Sequence, residues 1–180
     1  VLKGQGSRDT RELVVLQGAA LLVLSGIAGD EFAGQAMMND VLDNGEALAK
    51  FKQMCLAQGV SQPDVELLTR EPTKLLANSK QITSIKSTSQ GYVSEITSMT
   101  LAEIARKHGA GRFAIEDTII PEIGFEILVE RGQAINQGQD WIKFHHNIDL
   151  TAQEKQSLTE CIIISSKPIE VKPRLIEIIR

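Results

Sequence analysis

Cysteine is almost missing from this chain. Cys55 and Cys161 are the two present among 180 residues, too few for a disulfide framework or a cysteine zinc site. They read as two buried thiols in a reducing, cytoplasmic compartment. An excess of basic charge is also lacking. The formal net charge is -4, which argues against a nucleic-acid or anionic-membrane partner, since either would favour a basic face. No signal peptide is visible, and no apolar run is long enough to span a bilayer. The longest, Leu13 to Ala28, is interrupted by Gln17, Gly18, Ser25 and Gly26 and reads as a fully buried helix. Metal-ligand clusters are missing as well. His145 and His146 are adjacent, so on a strand they point to opposite faces and cannot share one ion.

What is present is ordinary globular material, 42% hydrophobic and 23% charged, enough for one large domain or two small ones. The first third predicts three helices. Asp9-Thr-Arg-Glu12 has the form of a capping box, and Leu13, Leu16, Ala20, Leu24 and Ile27 follow at helical spacing. Phe32 to Asn44 is a second helix, ended by Gly45 in the left-handed conformation. Glu46 to Gln58 is a third, with Ala47, Leu48, Phe51, Met54 and Cys55 on its stripe and Gly59 closing it. Pro63 and Pro72 mark residues 61–80 as a connector.

Beyond the connector the periodicity changes. Gln81 to Ser87, Gly91 to Thr97, Phe125 to Glu130 and Trp141 to His145 alternate as strands do, and Cys161 to Ser165 is β-like. Two more capping boxes, Thr100-Leu-Ala-Glu103 and Thr151-Ala-Gln-Glu154, open short helices. Val129-Glu-Arg-Gly132 is echoed by Ile135-Asn-Gln-Gly138, a glycine rhythm suited to tight turns. The fold class is therefore α+β: a helical part over residues 1–60, the connector at 61–80, and a β-rich domain over 81–180. That domain is expected to be a small barrel-like sandwich with one inserted helix. Pro168 and Pro173 stiffen its tail.

Five stretches, in order, carry a family resemblance. They are Leu2-Lys-Gly-Gln-Gly6 with Asp9-Thr-Arg-Glu-Leu13; Leu42-Asp-Asn-Gly45 through Ala57-Gln-Gly59; Gly91-Tyr-Val-Ser-Glu-Ile96; Ala105-Arg-Lys-His-Gly-Ala-Gly-Arg112; and Gly124 to Phe144. Together they resemble the C-terminal part of the pyrimidine-nucleoside (thymidine) phosphorylase family. Ala57-Gln-Gly-Val60 and Gly138-Gln-Asp-Trp141-Ile-Lys-Phe-His145 resemble its animal branch most. The chain opens Val1-Leu-Lys-Gly4 rather than with Met, as a piece of a longer protein would.

The resemblance implies a chemistry. Inorganic phosphate attacks the anomeric carbon of a pyrimidine nucleoside, giving free base and (deoxy)ribose-1-phosphate, in a cytoplasmic homodimer of nucleoside salvage that uses no cofactor. The family's glycine-rich phosphate loop and its Arg, Ser and Lys contacts to the base lie upstream of the matching segments, and none of those motifs occurs here. No catalytic, cofactor-binding or metal-binding residue is therefore assigned, and the chain alone is expected to be inactive. Gln5 stands where some bacterial members carry an acidic residue near a monovalent cation, so no cation is expected. Ser61-Gln-Pro63 lacks a second glycine common in bacterial members.

Among single residues, Lys80 and Lys86 read as solvated surface and His108 as a cation ending a helix. The candidate functional element is the loop Gly109, Ala110, Gly111 and Arg112, whose family counterpart lies near the cleft between domains. Its expected role is to close that cleft. Two rival readings belong to other classes. A lipoyl or biotinyl carrier would share the glycine rhythm of Gly124 to Phe144, but it needs Asp-Lys-Ala or Met-Lys-Met, which is absent, and an added mass on a lysine would reveal it. A non-catalytic interaction module would show a defined partner and no complementation by a phosphorylase N-terminal half.

Overall fold

Ser7 and Asp30 are the residues at which the chain turns into the first two helices. The computed structural model describes residues 1–171 together with 173 and 175. Helix α1 runs Arg8–Leu24 and α2 runs Glu31–Asp43, with the Asp30 side chain accepting from Ala33 N–H. The predicted box at Asp9 does not form. Ser7 is the N-cap of α1, and Asp9 turns back to accept from the adjacent Thr10 N–H. α1 packs along α2. Gly34 makes the close approach possible, because a Cβ there would lie 2.9 Å from the Ala19 carbonyl oxygen. Arg11 ties the pair together, donating to Asn39 and to both carboxylate oxygens of Asp43.

The face buried on α1 differs from the predicted stripe. Val15 and Ala19 are buried, whereas Leu13, Leu24 and Ile27 are exposed. The helix is apolar on every side, so helical spacing could not select which face meets α2, and α1 is not the fully buried helix expected from its composition. Helix α3, Glu46–Ala57, follows Gly45 at φ +89° and ends before Gly59 at φ +90°.

The expected connector holds more helix than the single turn its sequence suggests. Ser61 caps helix α4, Gln62–Arg70, with Pro63 in its first turn, and a short helix α5 covers Pro72–Leu75. Both prolines sit at helix starts, where their missing N–H groups need no partner. They therefore open helices here rather than break them. Chain contacts separate two compact units, one of Val1–Leu75 joined by the described Pro173 and Leu175, the other Leu76–Lys172, so these two tail residues group with the helical part and not with the expected 81–180 domain. The end of the expected 81–180 domain, at residues 172, 174 and 176–180, lies outside the described residues.

The second unit is built on two three-stranded antiparallel sheets. The first is ordered β1 (Gln81–Lys86), β5 (Asp140–His146), β3 (Gly124–Ile127). The second is ordered β4 (Ala134–Ile135), β2 (Gly91–Ile96), β6 (Ile162–Ser165). Helix α6, Ser98–Ala105, is inserted between β2 and β3, and α7, Ala152–Glu160, precedes β6. The α+β class holds, and among the described residues neither sheet closes into a barrel. α6 starts two residues ahead of the predicted box, behind Thr97 and without a side-chain cap. At α7 the box forms in full between Thr151 and Glu154.

The echoed glycines make two matching turns. Gly132 and Gly138 have φ of +86° and +80°. In each turn the glutamine after the glycine closes a backbone bond to the residue three before it and accepts that residue's N–H through its side chain. The pairs are Glu130 with Gln133 and Asn136 with Gln139. The core is Trp141, Ile142 and Phe144 of β5 with Val93, Ile135 and Leu158, all at most 2% exposed. Among the described residues no helix is long and apolar enough to cross a membrane.

Candidate functional site

The predicted loop begins inside an irregular helix end. After α6 the chain widens into a single π turn over Arg106–Ala110, with Gly109 at φ +106°. A glycine in the left-handed conformation is a common way to end a helix. A side chain at Gly109 would be strained by that φ, and its Cβ would sit 2.7 Å from Ile120 Cδ1. The Gly109 carbonyl accepts from Ile120 N–H at 2.8 Å. Gly111 is extended at φ -152°, where any residue fits by backbone, but a Cβ would meet Arg106 Cγ at 3.0 Å.

The loop is therefore pinned at its root and open at its tip. Arg112 is exposed, with no hydrogen bond or ion pair among the described residues. The next residues are ordered by groups that sequence reading passed over. Asp117 accepts from Phe113 N–H at 2.8 Å and Ala114 N–H at 2.9 Å. Those two bonds, Ala114's first, hold its carboxyl below the usual carboxylate range. The Arg106 guanidinium stacks 3.9 Å above the Phe113 ring. The pattern Phe-x-x-x-Asp could have signalled the turn; the Arg106 stack had no local signal.

His108 is not the exposed helix-end cation expected of it. Its side chain is buried, and Nε2 lies 3.3 Å from Glu154 Oε1 on α7. The rings of Phe144 and His146 lie nearly perpendicular to it, with centroids 5.0 and 6.1 Å away. His145 and His146 do face opposite ways. His146 is buried between Thr83 and the Ile148 carbonyl, while His145 is half-exposed beside Glu126. Lys80 and Lys86 are both exposed.

Glu154 carries a pH-dependent load. Burial pushes its carboxyl up, but the Thr151 N–H and hydroxyl and then His108 outweigh it, leaving it below its ordinary value of 4.5. A depressed folded value means that stability is present above the unfolded value and lost as pH falls through the folded one. Glu154→Gln keeps a capping-box acceptor but cannot titrate. The wild-type chain is expected to resist urea better than Glu154→Gln at pH 6, with the gap closing below about pH 4.3. A gap unchanged at pH 3 would contradict it.

Larger cavities lie elsewhere. In the first unit a groove of about 860 Å³ runs between α1 and α2, lined chiefly by Leu16, Ala20, Val23, Leu24 and Phe32 with Asp30 and Glu31 at its edge. A smaller one, about 490 Å³, lies among Leu2, Lys3, Leu48, Phe51 and Leu68. Neither contains any of the loop residues.

Comparison with known proteins accounts for this arrangement. Residues 92–165 match the pyrimidine nucleoside phosphorylase C-terminal domain. Over 92% of its length the chain is 31% identical to a thymidine phosphorylase of Homo sapiens and 33% identical to one of Rattus norvegicus, covering 36% of each. Over 97% of its length it is 31% identical to a pyrimidine-nucleoside phosphorylase of Geobacillus stearothermophilus, covering 39% of that protein. The chain thus spans little more than a third of the length of the curated relatives it matches. Residues 92–165 thus carry a pyrimidine nucleoside phosphorylase C-terminal domain, and most of the chain is similar to the corresponding part of thymidine and pyrimidine-nucleoside phosphorylases.

Proposed function

We propose that this chain serves as the C-terminal part of an enzyme that joins inorganic phosphate to the sugar of thymidine or uridine and releases the free base. The observation that carries the reading is the collinear match to phosphorylases over 92% to 99% of the chain. In this reading phosphate and nucleoside are bound mainly by residues outside the chain, in a cytoplasmic homodimer. The chain's contribution is the loop of Gly109, Ala110, Gly111 and Arg112. Its root is pinned by Ile120 and its arginine is unengaged, so Arg112 is available to form charge-assisted hydrogen bonds across a cleft as it shuts.

The test joins the chain to the N-terminal part of a relative and measures phosphate-dependent base release. In that enzyme Arg112→Ala is expected to lower kcat/KM about tenfold or more, the equivalent of one charge-assisted bond of roughly 1.5–3 kcal/mol made only on closure. Its melting temperature should be unchanged. No base release by the joined protein would overturn the function. Base release with unaltered Arg112→Ala kinetics would overturn only the role of the loop.

A further inference from the structure

A buried histidine with an unpaired nitrogen needs a reason. The His108 side chain is 2% exposed, and its Nδ1 finds no hydrogen-bond partner among the described residues. Its ring is nearly perpendicular to those of Phe144 and His146, with centroids 5.0 and 6.1 Å away. An apolar side chain of similar size would fill that space and leave no polar atom unsatisfied. Packing therefore does not account for a histidine at this position. The other nitrogen does, because Nε2 lies 3.3 Å from Glu154 Oε1.

Glu154 is a fixed point. Its second oxygen accepts from the Thr151 N–H at 2.9 Å and the Thr151 hydroxyl at 2.8 Å, closing the cap of α7. His146, the other titratable group facing the ring, is committed elsewhere. The Ile148 carbonyl can only accept, so His146 Nδ1 carries a hydrogen, and Nε2 pairs with the Thr83 hydroxyl at 2.8 Å. The Glu154 carboxylate can only accept, so His108 Nε2 carries a hydrogen and donates to it.

His108 immediately precedes Gly109, the residue whose carbonyl holds Ile120 and whose φ turns the chain into the loop. We propose that His108 is a positioning residue: its hydrogen bond to Glu154 anchors the root of the Gly109–Arg112 loop to the capped end of α7, and so sets where Arg112 is presented. The presentation of Arg112 to a cleft rests on the phosphorylase reading above; the anchoring does not.

Two substitutions separate the bond from the volume. His108→Leu keeps the bulk and removes the donor, and His108→Gln restores an N–H at similar reach. Both are made in the full chain and read by amide hydrogen exchange and thermal melting. In His108→Leu, exchange across residues 106–120 is expected to speed up at least tenfold. The sheet amides of Val93 and Leu128 and the melting temperature should hold. His108→Gln should return residues 106–120 to near wild-type protection. The proposal is overturned if His108→Leu leaves the loop as protected as wild type, if loop and sheet loosen together, if the variant fails to fold, or if His108→Gln does not rescue. No substrate enters this experiment, so its outcome is independent of phosphorolysis. In the joined enzyme the same pair extends the test: His108→Leu should lower kcat/KM as Arg112→Ala does, and His108→Gln should not.

Discussion

Given thymidine or uridine with phosphate, the 180-residue chain is expected to release free base far below about 1 per second, the lower end of ordinary enzyme turnover. Phosphorolysis needs an anion cradle of backbone N–H groups and cations, and donors placed where charge develops on the departing base. The chain has no glycine-rich phosphate loop. Its larger groove is apolar with Asp30 and Glu31 at the edge, carboxylates that repel phosphate rather than hold it. Among the described residues Lys3 is the one cationic side chain lining the smaller groove, which is otherwise mostly apolar. Arg112 alone offers one charge on an exposed loop, without partners to orient a substrate. The measurement is chromatographic detection of thymine or uracil with and without phosphate. Phosphate-dependent release at an ordinary enzymatic rate would place the whole catalytic set within these residues and overturn the division of labour proposed for them.

Replacing Phe144 with alanine is expected to destabilise the second unit by about 3–5 kcal/mol, the usual cost of emptying a buried phenylalanine site. Phe144 is 0% exposed on β5, the central strand of its sheet. Its ring stacks on Phe125 at 4.3 Å and on His146 at 5.1 Å, and stands nearly perpendicular to that of His108 at 5.0 Å. It opposes Thr83 on one side and Phe125 on the other. Flanked on both sides by paired strands, β5 cannot collapse easily into the space left. Trp141 reports the transition well, since it is the one tryptophan of the chain and is fully buried three residues away. Urea unfolding followed by its fluorescence should show the loss. Ile115→Ala, at a side chain 85% exposed, should cost under about 0.5 kcal/mol in the same assay. A Phe144→Ala cost below about 1 kcal/mol would mean that this aromatic stack is not the centre of the unit.

The strands were legible because alternation and punctuation are local. Gly91 opens β2, Trp141 to Phe144 marks β5 by its large apolar residues, and each strand begins or ends where expected to within a residue or two. The helices were legible in number through Ala57 but not in orientation. Leu13, Leu24 and Ile27 were as good a stripe on paper as Val15 and Ala19, since on an all-apolar helix only the neighbour decides which face is covered. Three segments read as capping boxes, and one forms. A box requires the chain to turn into the helix at that residue, and at Ser7 and Thr97 it turns earlier.

The same division runs through the candidate site. Gly109 and Gly111 mark a loop in the sequence because residues without Cβ tolerate a positive φ and close contacts, a property of single positions. The turns at Gly132 and Gly138 are likewise written within four residues each, down to the glutamines that close them. His108 could not be read that way. Whether a histidine at a helix end faces water or the core depends on what packs against that end. Its partner Glu154 lies 46 residues along the chain, on a helix whose place is set by packing. Backbone conformation is chosen by neighbours in sequence; a buried hydrogen bond is chosen by neighbours in space, and those exist only once the sheets and α7 have packed.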